Sequence, residues 1–501
     1  MFSKILVANR GEIARRVFLA CQDLGIRSVA IHSEADADAA WLDAADERYL
    51  LPGVTSSETY LNQTAVFQAA KQSGAEAIHP GYGFMSENAG FAQACADHGL
   101  VFFGLCPMAI ELMGSMARAR EIAEAAGVPT IPGVDGATLD EAALQAAADE
   151  MGYPVLVKAS AGGGGKGMRS VEQASELPEA IRAAKQEAQS AFGDSRILLE
   201  KYFTSVHHVE IQVLGDQTGK VLHLFERECS IQRRYLKIVL VSPAPVINDD
   251  AVRQAMAKAA VSLAEAVDYV GAGTVEFIAD SAGNFYFLEM NTRLQVEHPI
   301  SELVTGIDLV AWQIRVAAGL PLPMAQADDA QRGHALECRI YAEDPANHFL
   351  PSIGTIVQYE RPTGAWVRVD DGIATGTAVT PYYDPMLAKI ICWGQTREDA
   401  IGKMRRALEQ TVLVGVTTNI SYLLDILQEP AFVAGNTPTS FLDDHMQGWQ
   451  PEPEDEMLTW GATAVFEALR QGGGGGGKTA VVTNGSAPPD PWLQMSRWRN
   501  V

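Results

Sequence analysis

The sequence predicts an α/β fold with an N-terminal parallel sheet, a small α+β lobe around a glycine-rich hairpin, and a mixed α+β lobe toward the C-terminus. Three observations predict it. Short apolar runs alternate with helix-length segments from residue 4 to about Gly104, as in a parallel sheet. From about Met113 this alternation breaks, and a strand ending in Lys158 runs into the string ASAGGGGKGM. After about Gly448 the composition turns to PEPEDE, GGGGGG and SAPPDP, which reads as linker. A chain of 501 residues has room for two to four such lobes.

Residues 4–8, KILVA, read as a buried-type strand, Asn9-Arg10-Gly11 as a turn, 12–21 as a helix and 28–32 as the next strand. A strand, a glycine turn and a helix at the start place a ligand at the strand ends. Helix 117–126 has helix-forming composition and stops at Gly127. Strand 154–158 leads to the glycine run, followed by a helix near 175–190 and strands 196–200, 208–213 and 221–226. Strands 272–278 and 284–290 form a hairpin through the turn 280–283. The last lobe holds strands near 335–342, 366–370 and 387–393, and helices 397–410 and 419–427. One short apolar helix, 462–470, interrupts the linker-like tail.

The formal charge is -24 and the pI about 4.8. So acidic a surface repels nucleic acid and anionic lipid, and an anionic substrate needs a local positive pocket. The six cysteines are scattered, with no CxxC pair and no zinc spacing, which fits reduced thiols. The N-terminal MFSKILVANRGEIA has no long apolar core, and no run reaches about 18 apolar residues, so a cytoplasmic protein is expected. GGGGGGKT at 472–479 matches a phosphate-loop pattern, but a helical segment precedes it and the glycines are low-complexity. It is rejected.

Three constellations carry chemistry. Lys158 precedes Gly162, Gly163, Gly164, Gly165 and Lys166. A strand lysine before a glycine loop grips phosphates, because glycines let backbone N–H groups approach oxygens closely. A plain flexible hairpin is the alternative. Glu276 and Glu289, on the two hairpin strands, with Asn291, offer two carboxylates and an amide oxygen, a donor set for Mg²⁺ or Mn²⁺. Both acids lie inside apolar strands, where unpaired charge is costly. The loop Asn291-Thr-Arg293-Leu-Gln295-Val-Glu297-His298-Pro299 offers a planar fork for an oxyanion in Arg293, an orienting amide in Gln295 and a general base in Glu297. Ordinary ion pairs in a polar loop would look the same in isolation.

Together these motifs resemble the biotin carboxylase subunit or domain of biotin-dependent carboxylases, over residues 2 to about 446. The strings that carry the resemblance are ILVANRGEIA, HPGYGFMSEN, AGGGGKGMR, EKYF, HHVEIQ, ERECSIQRR, GTVEF, FLEMNTRLQVEHP, LECRIYAED and PYYDPMLAK. The resemblance implies an ATP-grasp fold: a Rossmann-like domain over 1–113, an ATP-grasp region over 114–320 with a mobile lid at about 131–203, and a C-terminal domain over 334–446. Residues 447–501 remain as tail. It implies that Lys158, the lid glycines and Lys166 hold ATP phosphates. Glu200, Lys201 and Phe203 contact adenine, His208 faces the ribose, and Gln232 and Glu276 are further ATP-binding positions. Glu276, Glu289 and Asn291 hold the metals. Lys237, Arg293, Gln295 and Val296 match bicarbonate-binding positions, Glu297 the base, and Arg339 the residue that stabilises the biotin enolate. Tyr82 and Gly83 line the same mouth. Because no AMKM-type attachment motif occurs, biotin is expected on a separate carrier chain, beside a carboxyltransferase chain, with this chain as a homodimer.

Some positions depart from the family. Met116 stands where a phosphate-contacting lysine is usual; Tyr235 and Leu236 replace a histidine and a glutamine; Leu240 and Val241 replace two glutamates; and Phe102-Phe103-Gly104-Leu105 replaces FIGP. Leu236, Leu240 and Val241 are read as turning an acidic strip at the mouth apolar. Biotin carboxylation is the leading expectation. A repurposed ATP-grasp ligase with a non-biotin acceptor, and a non-catalytic assembly subunit, are the alternatives.

Overall fold

The computed structural model describes residues 1–136, 139–159, 168–192, 195–233, 236–326, 330–452 and 465. The lid residues Gly162 to Lys166, Tyr235, the tail helix over 462–470 and the GGGGGGKT string lie outside the described residues. Met1–Gln450 form one compact unit, and Pro451–Val501 a second, of which only Pro451, Glu452 and Val465 are described.

In the first unit, Lys4–Val7 pairs in parallel with Arg27–His32 and Ala77–His79, at the centre of a five-stranded parallel sheet whose edges are Glu47–Leu50 and Val101–Phe102. Apolar faces on both sides bury Ile5, Leu6 and Val7 completely, as a parallel sheet covered by helices requires. The helix Gly11–Asp23 starts at the strand end, where Gly11 takes a φ of 66°. The turn His79–Gly83 closes beside it. Asn9 donates to the carbonyls of Pro80 and Tyr82, both at 2.7 Å. Gly81 is required there, because its φ is 62° and a Cβ would sit 2.9 Å from the Asn9 amide.

A small four-stranded antiparallel sheet orders Gly133–Asp135, Ile197–Lys201, Val155–Ala159 and Arg169–Val171. The helices Glu141–Met151 and Leu177–Phe192 cover it through Leu144, Ala148, Ile181 and Ala184. The largest sheet has eight antiparallel strands, ordered Phe285–Asn291, Gly271–Ala279, His207–Gly215, Val221–Arg233, Leu236–Ser242, His334–Tyr341, Met386–Gly394 and Val367–Asp371. This sheet is the platform of the site, and it carries helices on its faces, among them Asp250–Ala266, His298–Thr305 and Arg397–Gln410. Among the described residues no helix is long and apolar enough to cross a membrane. All six cysteines are free.

Two expectations are corrected here. Leu240 and Val241 do not form the mouth. Both are buried on the central strand Leu236–Ser242, Leu240 against Cys229, Ile300 and Ile391, and Val241 against Leu336 and Tyr341. A strand in the middle of a sheet covered on both faces presents no residue to solvent, so two adjacent apolar residues enter two separate cores. Leu236 alone of that trio stays half-buried, at the start of the strand. The strand expected at 221–226 continues to Arg233, through the charged stretch Glu226-Arg227-Glu228, where Arg227 and Glu228 find buried partners and Glu226 pairs with the half-buried Arg253.

Candidate active site

The hairpin register places Glu276 directly opposite Glu289 and Thr274 opposite Asn291. Lys237, near the start of a strand three places from that of Glu276 in the sheet, reaches over with its ammonium. It meets Glu210 Oε2 at 2.6 Å, Glu297 Oε1 at 2.8 Å and Glu276 Oε1 at 3.0 Å. Burial opposes its charge, yet those three carboxylates hold its pKa well above the usual lysine value. Glu210 is itself fully buried, and its other oxygen accepts from Arg227 Nε at 2.6 Å. Arg227, also fully buried, spends its remaining N–H groups on Gln212, Ser301 and Thr274. A buried charge is tolerated only when paired and hydrogen-bonded this completely.

Glu297 ends the loop before the helix His298–Thr305 and is fully buried. Burial raises its pKa, but Lys237, Arg339 at 2.7 Å and Arg227 outweigh that and hold it well below the ordinary carboxylate range. Arg293, half-buried in the same loop, has its guanidinium held by Glu87 Oε2 at 2.9 Å, Asn291 Oδ1 at 3.0 Å and Gln295 Oε1 at 3.1 Å. Gln295 donates to Glu276 Oε1 at 2.9 Å, as Asn291 Nδ2 does at 2.8 Å. Val296 presents its carbonyl to Lys389 Nζ at 2.9 Å, and this fully buried lysine also lies 3.1 Å from Glu12 and 3.7 Å from Asp370. Its ammonium is 5.9 Å from the Tyr82 ring, which puts the glycine-rich turn of the N-terminal sheet at the same place.

On the nucleotide side, His208 Nε2 lies 2.6 Å from Glu276 Oε2, and Gln232 Nε2 lies 2.6 Å from His208 Nδ1. An amide donating to Nδ1 leaves the ring proton on Nε2, facing the carboxylate. Lys158, at the end of its strand, pairs with Glu200 at 2.6 Å, both nearly fully buried. Lys201 donates to the carbonyls of Gly152 and Tyr153, so it can meet a base only through its backbone. Phe203 stacks on Tyr286 with ring centres 5.2 Å apart. Met116 lines a narrow cleft with Lys158, Glu200, Arg120 and Leu288. The free space there is about 10 Å³, room for about one water.

The donor set suits a divalent cation. Burial, and then the charge of Glu276 across the ladder, push Glu289 up to about 7, so this carboxyl keeps its proton more readily than an ordinary one. A cation between the two acids would remove that repulsion with hard oxygen ligands. Asn291 Oδ1 accepts from Arg293 and would have to exchange that bond to join the cation.

Sequence reasoning missed Glu210, Arg227, Lys389 and Glu337. Each is a charged residue within a strand of largely apolar neighbours or of alternating opposite charges (HVEIQ, LHLFERECS, LAKII and ALECRI), a pattern that itself signals buried ion pairs.

Fold and site together bring a paired-carboxylate hairpin, a buried lysine–carboxylate network and the loop of Arg293 and Glu297 to one place, an arrangement suited to an enzyme. Residues 1–110 match the biotin carboxylase N-terminal domain, residues 116–325 the carbamoyl-phosphate synthase L chain ATP-binding domain, and residues 337–444 the biotin carboxylase C-terminal domain. The Nostoc sp. biotin carboxylase is 46% identical over 443 residues, 88% of this chain and 99% of that protein. The mouse mitochondrial methylcrotonoyl-CoA carboxylase subunit alpha is 46% identical over 450 residues, 90% of this chain and 63% of that subunit. A solved structure of the Hydrogenobacter thermophilus 2-oxoglutarate carboxylase biotin carboxylase domain dimer, in complex with MgADP, ADP and bicarbonate, superposes with a TM-score of 0.86 at 47% identity, covering 90% of this chain and all of that one. The chain belongs to the biotin carboxylase family, and its fold is that family's ATP-grasp fold. It spans a little under two thirds of the mouse alpha subunit.

Proposed function

We propose that this chain uses ATP and bicarbonate to carboxylate biotin carried on a separate chain, by way of carboxyphosphate, as the α-subunit part of an acyl-CoA carboxylase. The observation that carries this reading is Glu297, a fully buried carboxylate clamped between Lys237 and Arg339, in the same loop as Arg293 and beside the Glu276–Glu289 pair. A base held charged and dry, next to an anion clamp and a metal–nucleotide site, is what proton removal from bicarbonate requires.

In this reading Arg293 and Lys237 hold bicarbonate, and Glu297 Oε1 takes its proton. Arg339 faces the ureido oxygen on which negative charge develops. Mg²⁺ or Mn²⁺ bound at Glu276, Glu289 and Asn291 would neutralise charge on the nucleotide phosphates. Lys158 turns from Glu200 to those phosphates, which frees Glu200 to accept from the adenine amino group. Lys201 meets adenine through its backbone, and Phe203 and His208 line the base and ribose. The lid glycines and Lys166 complete the phosphate site. The Rossmann-like, ATP-grasp and C-terminal regions end near 113, 320 and 446. The assembly is a cytoplasmic homodimer working with biotin carrier and carboxyltransferase chains.

A second reading, a non-biotin acceptor, is favoured by Met116 in the nucleotide cleft and by half-buried Leu236 on the strand of Lys237. One experiment separates them: ADP release with Mg²⁺ and bicarbonate, with and without free biotin. Biotin-stimulated release that falls at least about 100-fold in Glu297→Gln is expected, the size of a lost general base. Release that is bicarbonate-dependent but indifferent to biotin favours the second reading.

A further inference from the structure

Beneath Arg339 lies an acid that no role above uses. Glu337 sits two residues earlier on the same face of the strand His334–Tyr341 and is fully buried. Its neighbours across the ladder are Leu240 and Ile391, both apolar and fully buried. Leu240 fills a position the family usually gives to glutamate, so it offers Glu337 no polar atom. Neither Glu337 oxygen has a hydrogen-bond partner among the described residues, and Arg339 Nε has none either. These two orphans face each other: Glu337 Oε1 is 3.7 Å from Arg339 Nε.

A buried donor and a buried acceptor left unpaired at 3.7 Å are costly apart and favourable together. The Arg339 guanidinium is instead engaged by Glu297 at 2.7 Å and by the Tyr341 side chain. We propose, on the functional reading above, that Glu337 is the positioning residue of Arg339. It accepts from Nε when Glu297 takes the bicarbonate proton and its hold on the guanidinium weakens. A shift of under about 1 Å brings Nε into ordinary hydrogen-bond range. Arg339 then stays fixed under the biotin ureido group while the charge on its other partner changes. Burial pushes the Glu337 carboxyl up to about 8, but its acceptor oxygen serves Nε whether or not the proton is on.

The test compares wild type with Glu337→Met, which keeps the length and deletes the acceptor, and with Glu337→Gln, which keeps an acceptor oxygen. Biotin-dependent kcat is expected to fall about tenfold in the Met variant, with KM for ATP within about twofold of wild type, and to recover by at least half in the Gln variant. In a Glu297→Gln background, which mimics the protonated acid, the Arg339 Nε–H signal in arginine-labelled protein, assigned by its loss in Arg339→Lys, should exchange with solvent faster with Glu337→Met than with Glu337→Gln. A folded Met variant with wild-type kcat and unchanged Nε–H exchange overturns the proposal. So does an equal fall in both variants accompanied by a raised KM for ATP, since that marks general damage to the site. If the wild type shows no biotin-dependent turnover, the functional reading fails, and the Nε–H exchange still decides whether Glu337 holds Arg339.

Discussion

Met116→Lys tests the nucleotide side most directly. Met116 is the first residue of the helix Met116–Ala125 and shares its cleft with Lys158, Glu200 and Arg120, the last one turn along the same helix face. A lysine there reaches the space proposed above for the nucleotide phosphates. One added charge-assisted contact is worth about 1.5–3 kcal/mol. Against it stand a cation at a helix N-terminus, costing about 0.3–1 kcal/mol, and repulsion from Arg120. Arg120 is already committed to Glu124 at 2.9 Å, and to Glu200 only loosely at 3.5 Å, so the repulsion is modest. The net gain is about 1 kcal/mol, a five- to tenfold lower KM for ATP at about 1.4 kcal/mol per decade. The assay is steady-state ADP release with Mg²⁺ and bicarbonate over a range of ATP, with a thermal melt as control. The melt should drop slightly, because the new charge has no partner without nucleotide. A KM that is unchanged or higher in a folded variant would refute the reasoning and place the phosphates away from residue 116.

Two further outcomes follow from the buried acids. Glu289→Gln removes one charged oxygen from the Glu276–Glu289 pair, so calorimetry should find Mg²⁺–nucleotide binding weakened by about tenfold; equal affinity would sink the metal assignment. Burial pushes Glu12 to about 7 and Glu337 to about 8, above the ordinary 4.5. The folded state thus keeps protons that the unfolded chain releases above about pH 4.5, so these groups make stability fall as pH rises toward 8, by up to about 1.4 kcal/mol per pH unit each. Glu337→Gln should therefore lose less melting temperature than wild type between about pH 6 and 8.5, and parallel curves would refute the assignment.

The order of strands and helices was legible because apolar periodicity marks them directly: the helix expected at 397–410 is Arg397–Gln410. The hairpin that brings Glu276 and Glu289 together was legible too, but its exact pairing was not: the turn alone would set Glu276 opposite Leu288, and a bulge between Glu276 and Phe277 shifts it to Glu289. The orientation of Leu240 and Val241 was not. Period-two patterning assigns faces only when one face meets water, and the strand Leu236–Ser242 is covered on both. Nor could sequence show that Lys237 serves three carboxylates at once. Glu210 and Glu297 lie 27 and 60 residues away from it, and their meeting is a property of sheet order. Met116 was flagged from its string alone, and the structure adds that Arg120 lines the same cleft.

The Lys389 ammonium joins three parts of the chain: the Val296 carbonyl in the base loop, Glu12 in the first helix and Asp370 on the last strand of the large sheet. Gly372 presses against the same helix so closely that a Cβ would sit 2.7 Å from the Gly11 carbonyl carbon. The first turn of the N-terminal helix is thereby tied, through Lys389, to the loop that carries the proposed base. Inherited or engineered changes at Glu12, which lies outside the assigned reactant contacts, would register in kinetics as damage to the base.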